Sequence, residues 1–202
     1  AGGLVGAAGA SGSWNYVKSA GGVTFNGAYR SGSGTKNSDG SSSGANEGAW
    51  DFAITSSSMM DGLSAGFGYG EASNGTQVDT QKKSDEDDHW TMFANYTVGN
   101  ITFGAQVSGI DKGGAAATSQ NADAWGIAYN VNDNLSISYG ERDVEFEKPA
   151  GSDSVTEKGD GVAIAYTMGS IKITGNRNEV RDNGGTTNSD DSMTEIAVSF
   201  AF

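Results

Sequence analysis

Near the end of the chain, Ile196, Val198, Phe200 and Phe202 alternate with Glu195, Ala197, Ser199 and Ala201. A repeat of two places the sets on opposite faces of a β-strand, so this strand separates two different solvents. The same alternation recurs at about 12–19, 23–30, 48–56, 62–71, 89–98, 100–109, 123–131, 134–146, 160–168, 170–180 and 191–202. Tight connections (Ala20-Gly21-Gly22, Met60-Asp61-Gly62, Gly99-Asn100, Asn132-Asp133-Asn134, Gly169-Ser170) take turns with long ones rich in Gly, Ser, Asn and Asp, at about 31–47, 72–88, 110–122, 147–159 and 181–190. Antiparallel pairing sends successive connections to opposite ends, which predicts short turns on one side of a sheet and long loops on the other. Pro149 falls in a long connection, where no ladder hydrogen bond is lost.

Only 36% of the 202 residues are hydrophobic, 32 are glycine, and mean hydropathy is negative, as in a polar soluble or disordered chain. A transmembrane barrel reads the same way, because only alternate residues meet lipid while the others meet water. No apolar run is long enough for a spanning helix, and Ala1-Gly2-Gly3-Leu4-Val5 lacks the basic start of a signal peptide, so the chain is expected to be mature or cut. The absence of cysteine is compatible with an oxidising envelope, since a closed barrel needs no disulfides. A net charge of -13 argues against nucleic acid as a partner.

Alternation alone leaves barrel and two-layer sandwich open, because the apolar set could equally be a core. The aromatic residues favour the barrel. Trp50, Trp90 and Trp125 sit where strands meet long loops, and Tyr69, Tyr96, Tyr129 and Tyr166 sit close to strand ends, as in the interfacial girdles of membrane barrels.

The runs Gly22-Val23-Thr24-Phe25-Asn26-Gly27-Ala28-Tyr29, Ala124-Trp125-Gly126-Ile127-Ala128-Tyr129 and Asp160-Gly161-Val162-Ala163-Ile164-Ala165-Tyr166 resemble the strand signatures of Gram-negative general porins. The final strand ending on Phe202 is similar to the terminal strand of such barrels, whose last Phe is part of the insertion signal. This resemblance covers essentially the whole chain. It implies an all-β, transmembrane antiparallel up-and-down barrel of the 16-stranded type, integral to the outer membrane and assembled as a homotrimer. The water-filled channel would pass ions and small hydrophilic solutes passively, with lipid and lipopolysaccharide around it.

Residues 1–202 form one domain with about eleven strands. With the last taken as the sixteenth, the porin resemblance implies that these are strands 6–16 and that Ala1 to Ser11 correspond to the end of the third loop, which in porins folds into the barrel. A complete smaller barrel is the alternative. A different functional class, a cell-surface structural or adhesin β protein without channel activity, would call for a fixed repeat, and none is present.

The lumen carries the functional expectations. Arg30, Asp51, Arg142, Lys172 and Glu195 are the in-facing charges; Arg30 and Arg142 interrupt small neutral stretches, and a guanidinium there needs bulk water or a carboxylate. Arg177 has outward parity near a loop end. The run Ser84-Asp85-Glu86-Asp87-Asp88-His89, read as a surface loop, supplies the one oxygen-donor cluster that would suit Ca²⁺ or Mg²⁺; no resident cofactor is otherwise expected. His89 is the single histidine, and no cysteine or Gly-x-Ser-x-Gly occurs, so catalysis is not expected.

Overall fold

The computed structural model describes residues 13–33, 46–73, 86–112, 119–148 and 153–200. They form one antiparallel sheet of eleven strands, each paired with its neighbours in sequence: β1 (Ser13–Ala20), β2 (Val23–Ser33), β3 (Asn46–Ser56), β4 (Leu63–Ser73), β5 (Glu86–Val98), β6 (Ile101–Asp111), β7 (Ser119–Asn132), β8 (Leu135–Glu147), β9 (Val155–Met168), β10 (Ile171–Arg181) and β11 (Asp191–Phe200). Among the described residues the outer edges of β1 and β11 are unpaired. All eleven expected segments are strands. Most extend two or more residues further at their loop ends than alternation suggests, because polar residues there keep the ladder going beyond the apolar stretch.

Registers fix the faces. Phe52 lies opposite Tyr69, which lies opposite Trp90, while Tyr96 lies opposite Phe103, which lies opposite Ile127. Residues directly across a ladder share a face, so one side of the sheet collects the large apolar side chains. The other collects Thr, Asn, Gln, Ser, Gly and Ala.

Burial is inverted relative to a water-soluble protein. Ile196 is 75% exposed, Phe200 59% and Met92 53%, and nearly all exposed large apolar strand residues lie on the first face; Val17 and Met193, on the edge strands, face the other way. The buried side chains of Ala49, Ala53, Thr91, Val144 and Glu157 lie on the polar face. In a sandwich the large apolar set would be covered by a second sheet, and the described residues form a single sheet. An apolar face of this extent needs an apolar solvent.

The dimensions agree. From Trp90 to Val98 the apolar face of β5 runs ~27 Å at ~3.4 Å per residue, and a tilt of about 40° reduces this to ~21 Å across a membrane, near the ~25 Å band of such barrels. Aromatic residues mark the loop-end boundary: Trp50 packs on Tyr69 with ring centroids 5.5 Å apart, and Trp125 on Tyr139 at 5.7 Å. Their polar tips reach the next tier. The Tyr69 hydroxyl donates to Asp88 (2.6 Å), and the Tyr139 hydroxyl and Trp125 Nε1 both donate to Glu141 (2.5 and 3.2 Å). Above that line the same face becomes charged, with Lys158 paired to Asp143 and Arg181 to Asp160, each at 3.6 Å. A side that is apolar below and ionic above has crossed from hydrocarbon to headgroups.

At the opposite end the turns are tight. Gly99 and Gly169 (φ 56° and 58°) each open a two-residue connection and supply the positive φ such hairpins require at their first position. Gly62 (φ 78°) ends the longer β3–β4 link, where its carbonyl accepts from the Thr97 amide (2.8 Å) and an added Cβ would collide with the Thr97 carbonyl oxygen. Gly62→Ala is expected to cost about 1–3 kcal/mol through backbone strain and this clash, read as a lower unfolding midpoint in detergent. The alternation of connections predicts that protease added to intact cells cuts only between β2 and β3, β4 and β5, β6 and β7, β8 and β9, or β10 and β11. Cleavage from outside at Gly99-Asn100 or Gly169-Ser170 would mean that the orientation is reversed.

Candidate functional site

The polar face is the surface on which function can be built, because strand alternation delivers the small polar side chains to it and the large apolar ones to the other face. Arg30 lies opposite Ala49, and Asp51 opposite Ala28, which places the two as diagonal neighbours across β2 and β3. Both are half-buried. Arg142 stands on the same face five strands beyond Asp51, ~24 Å along the sheet at ~4.8 Å per strand. Lys172 lies one residue inside β10 at the turn end, and Glu195 accepts from Asn176, its partner across the β10–β11 ladder (3.4 Å). All five charges expected to line a lumen therefore share the polar face, but they form no single cluster. Arg177 is on the apolar face, as its parity implies, and binds Glu179 (2.6 Å).

One charged residue of this face escapes a reading of the sequence. Glu157 accepts from Arg142 Nη1 (3.2 Å), and its side chain is only 11% exposed. Hydropathy alone leaves it in the long connection at 147–159, whereas β9 begins at Val155. Extending the alternation of Gly161 and Ala163 back through Gly159 would put Glu157 on the polar face. The Arg142 guanidinium thus has the carboxylate that its setting demands.

The acidic run differs from expectation. Glu86, Asp87 and Asp88 are the start of β5 rather than a surface loop, because they pair with Ser73, Ala72 and Glu71 of β4. A strand sends alternate side chains to opposite faces, so Asp87 is separated from Glu86 and Asp88. Asp88 is engaged by Tyr69, and among the described residues no group of three or more His, Cys, Asp or Glu could hold a metal ion. Asp85 lies outside the described residues.

Of the interfacial aromatics, Trp50, Tyr69, Trp90 and Trp125 occupy the apolar face toward the loop ends, and Tyr96, Tyr129 and Tyr166 the same face toward the turns. Phe202 lies outside the described residues. On the polar face glycine makes room for the few large side chains. The Phe93 ring lies over Gly66, where an added Cβ would come within 2.5 Å of it.

The polar face packs no second layer of secondary structure among the described residues apart from a short 3-10 turn, Asn183–Gly185, which contacts β8 and β9. It is a wall lined by hydroxyls, amides and a few charges, among them the Arg142–Glu157 pair.

A sequence profile of the Gram-negative porin family matches residues 1–202. No curated protein sequence matches. Among solved structures the chain is similar to an anion-selective porin from Comamonas acidovorans, with TM-score 0.68, 11% identity, and 94% of this chain and 58% of that one covered. It is also similar to OmpF of Salmonella typhi in complex with daunomycin, with TM-score 0.67, 13% identity, and 93% and 61% covered. A third is outer-membrane expressed OmpT of Vibrio cholerae, with TM-score 0.62, 14% identity, and 94% and 64% covered. The chain spans less than two thirds of the length of each. With the profile matched from end to end and the inverted sheet expected of such a barrel, the chain belongs to the Gram-negative porin family, whose members are integral β-barrels of the outer membrane.

Proposed function

We propose that this chain forms most of the wall of a water-filled channel through which ions and small hydrophilic solutes cross the outer membrane passively. The observation that carries the reading is the inverted polarity of a single sheet, with large apolar side chains exposed on one face and polar and charged side chains on the other. Edges left open in hydrocarbon would strand every unpaired N–H and C=O, so the free edges of β1 and β11 call for further strands. We take the eleven strands as the sixth to sixteenth of a 16-stranded barrel, which fits the share of the solved porins that the chain covers. The assembly is proposed to be a homotrimer; a trimer form is described for OmpT of Vibrio cholerae, one of the structurally similar proteins. Lys158 and Arg181, in the charged tier above the aromatic line, and Arg177, level with Tyr139 in that line, would meet the anionic headgroups of lipopolysaccharide. No catalytic step is assigned.

Charge on the wall sets selectivity. Among described strand residues the polar face carries Arg30, Arg142 and Lys172 against Asp51, Asp87, Glu157, Asp191 and Glu195. Carboxylates outnumber cations, which favours cation passage, and Arg30 and Arg142 oppose that bias locally. Replacing both with Gln should raise the cation-to-anion permeability ratio about twofold or more in planar bilayers, measured as the reversal potential across a salt gradient. An unchanged potential would place both arginines outside the conduction path. A wild-type protein that gave no current would favour the alternative of a structural β protein.

A further inference from the structure

The segment joining β10 to β11 is a long connection of polar composition, yet it folds back onto the sheet. It is first of all closed on itself. The Asn183 amide donates to the Ser189 carbonyl (2.8 Å), the Asn188 amide to the Asp182 carboxylate (2.7 Å), and the Asp182 amide to Asp190 (3.2 Å). Asp182 itself sits in the left-handed region (φ 53°), where a short carboxylate side chain that bonds locally is tolerated. The segment therefore arrives at the sheet as a formed unit.

Its contact with the wall is specific. The Gly184 amide donates to Glu157 Oε2 (2.8 Å), while Oε1 of the same carboxylate accepts from Arg142. Gly185 is buried against the Phe146 ring in a left-handed conformation (φ 70°), and an added Cβ would approach that ring to 2.7 Å. Phe146, Val144 and Glu157 all belong to the polar face, and Val144 is 2% exposed, the most buried side chain there among the described residues. The aromatic ring of Phe146, on a wall that is mostly polar, is accounted for by the turn packed against it. A nearly buried carboxylate is likewise accounted for by its two donors.

We propose that this connection is a fixed constriction of the pore mouth, held inward by Glu157 as a latch, and that Glu157, Phe146 and Gly185 set the size of solute admitted. The proposal rests on the channel reading above. Glu157 lines no binding site for solute. Its role is to position the turn, with Arg142 holding the carboxylate from the other side.

Conductance of the complete protein in planar bilayers tests this, with proteolysis of folded protein in detergent as a second readout. Glu157→Leu removes the acceptor of the Gly184 amide, and with it that of Arg142, while keeping a branched side chain of similar length; Gly185→Val changes only the connection, outside the sheet, so it keeps the test available should Glu157→Leu fail to fold. Both variants are expected to raise single-channel conductance by about 1.5-fold or more and to speed cleavage within 182–190. Heat-modifiable migration on a gel checks that the barrel is intact. Absence of either change in a folded variant overturns the latch. A wild-type protein without channel current overturns the channel reading and the constriction with it, whereas conducting wild type with unaltered variants overturns the constriction alone.

Discussion

The rest of the structure depends on backbone pairing in a solvent that offers no hydrogen bonds. Each unsatisfied N–H or C=O in hydrocarbon costs several kcal/mol, so a chain too polar to cross as helices must cross as a continuous ladder of strands. Every interior strand here is bonded on both sides in unbroken antiparallel register, save for one irregularity at Asn130 and Asn132 beside a turn. Sequence composition then becomes free to vary face by face. The ladder holds the sheet without a core, which is why one with only a handful of buried side chains can still be a defined structure.

Given the ladder, the two faces solve separate problems. The apolar face matches lipid and ends at a line of aromatic side chains whose hydroxyl and indole groups reach carboxylates just above it, Tyr69 to Asp88 and Tyr139 to Glu141. These pairs place the polar tip of each ring at the level where water begins. The polar face has the opposite task of keeping a passage open. Small residues such as Gly66, Gly68 and Gly70 keep the wall thin, and Arg142 and Glu157 pair diagonally across two strands. Glu157, with Arg142 on one oxygen and the Gly184 amide on the other, is where the wall and a loop become one unit.

How much of this can be read from residues alone depends on whether the signal is local. Strand number, parity and the alternation of short and long connections follow from a two-residue repeat and turn chemistry, both local, and the structure reproduces them. Strand ends are less legible. The loop-end residues of β5 are polar on both sides and those of β9 are polar after Val155, so alternation of hydropathy fades there while pairing continues, as Glu86 with Ser73 and Thr156 with Glu145 demonstrate. The same fading hides Glu157 in what reads as a loop and makes the acidic run look like a cluster.

The sequence by itself determined that the chain alternates between two solvents, which residues belong to each, and that Arg30, Asp51, Arg142, Lys172 and Glu195 share one side. These are consequences of strand geometry that hold whatever the strands pack against. Only the tertiary structure decided that the apolar set is exposed rather than enclosed between two sheets, because hydropathy cannot distinguish a core from a lipid-facing surface. It also decided that Glu157 meets Arg142 and that the β10–β11 connection turns inward onto Phe146. Those contacts join residues far apart along the chain, and register, not composition, brings them together.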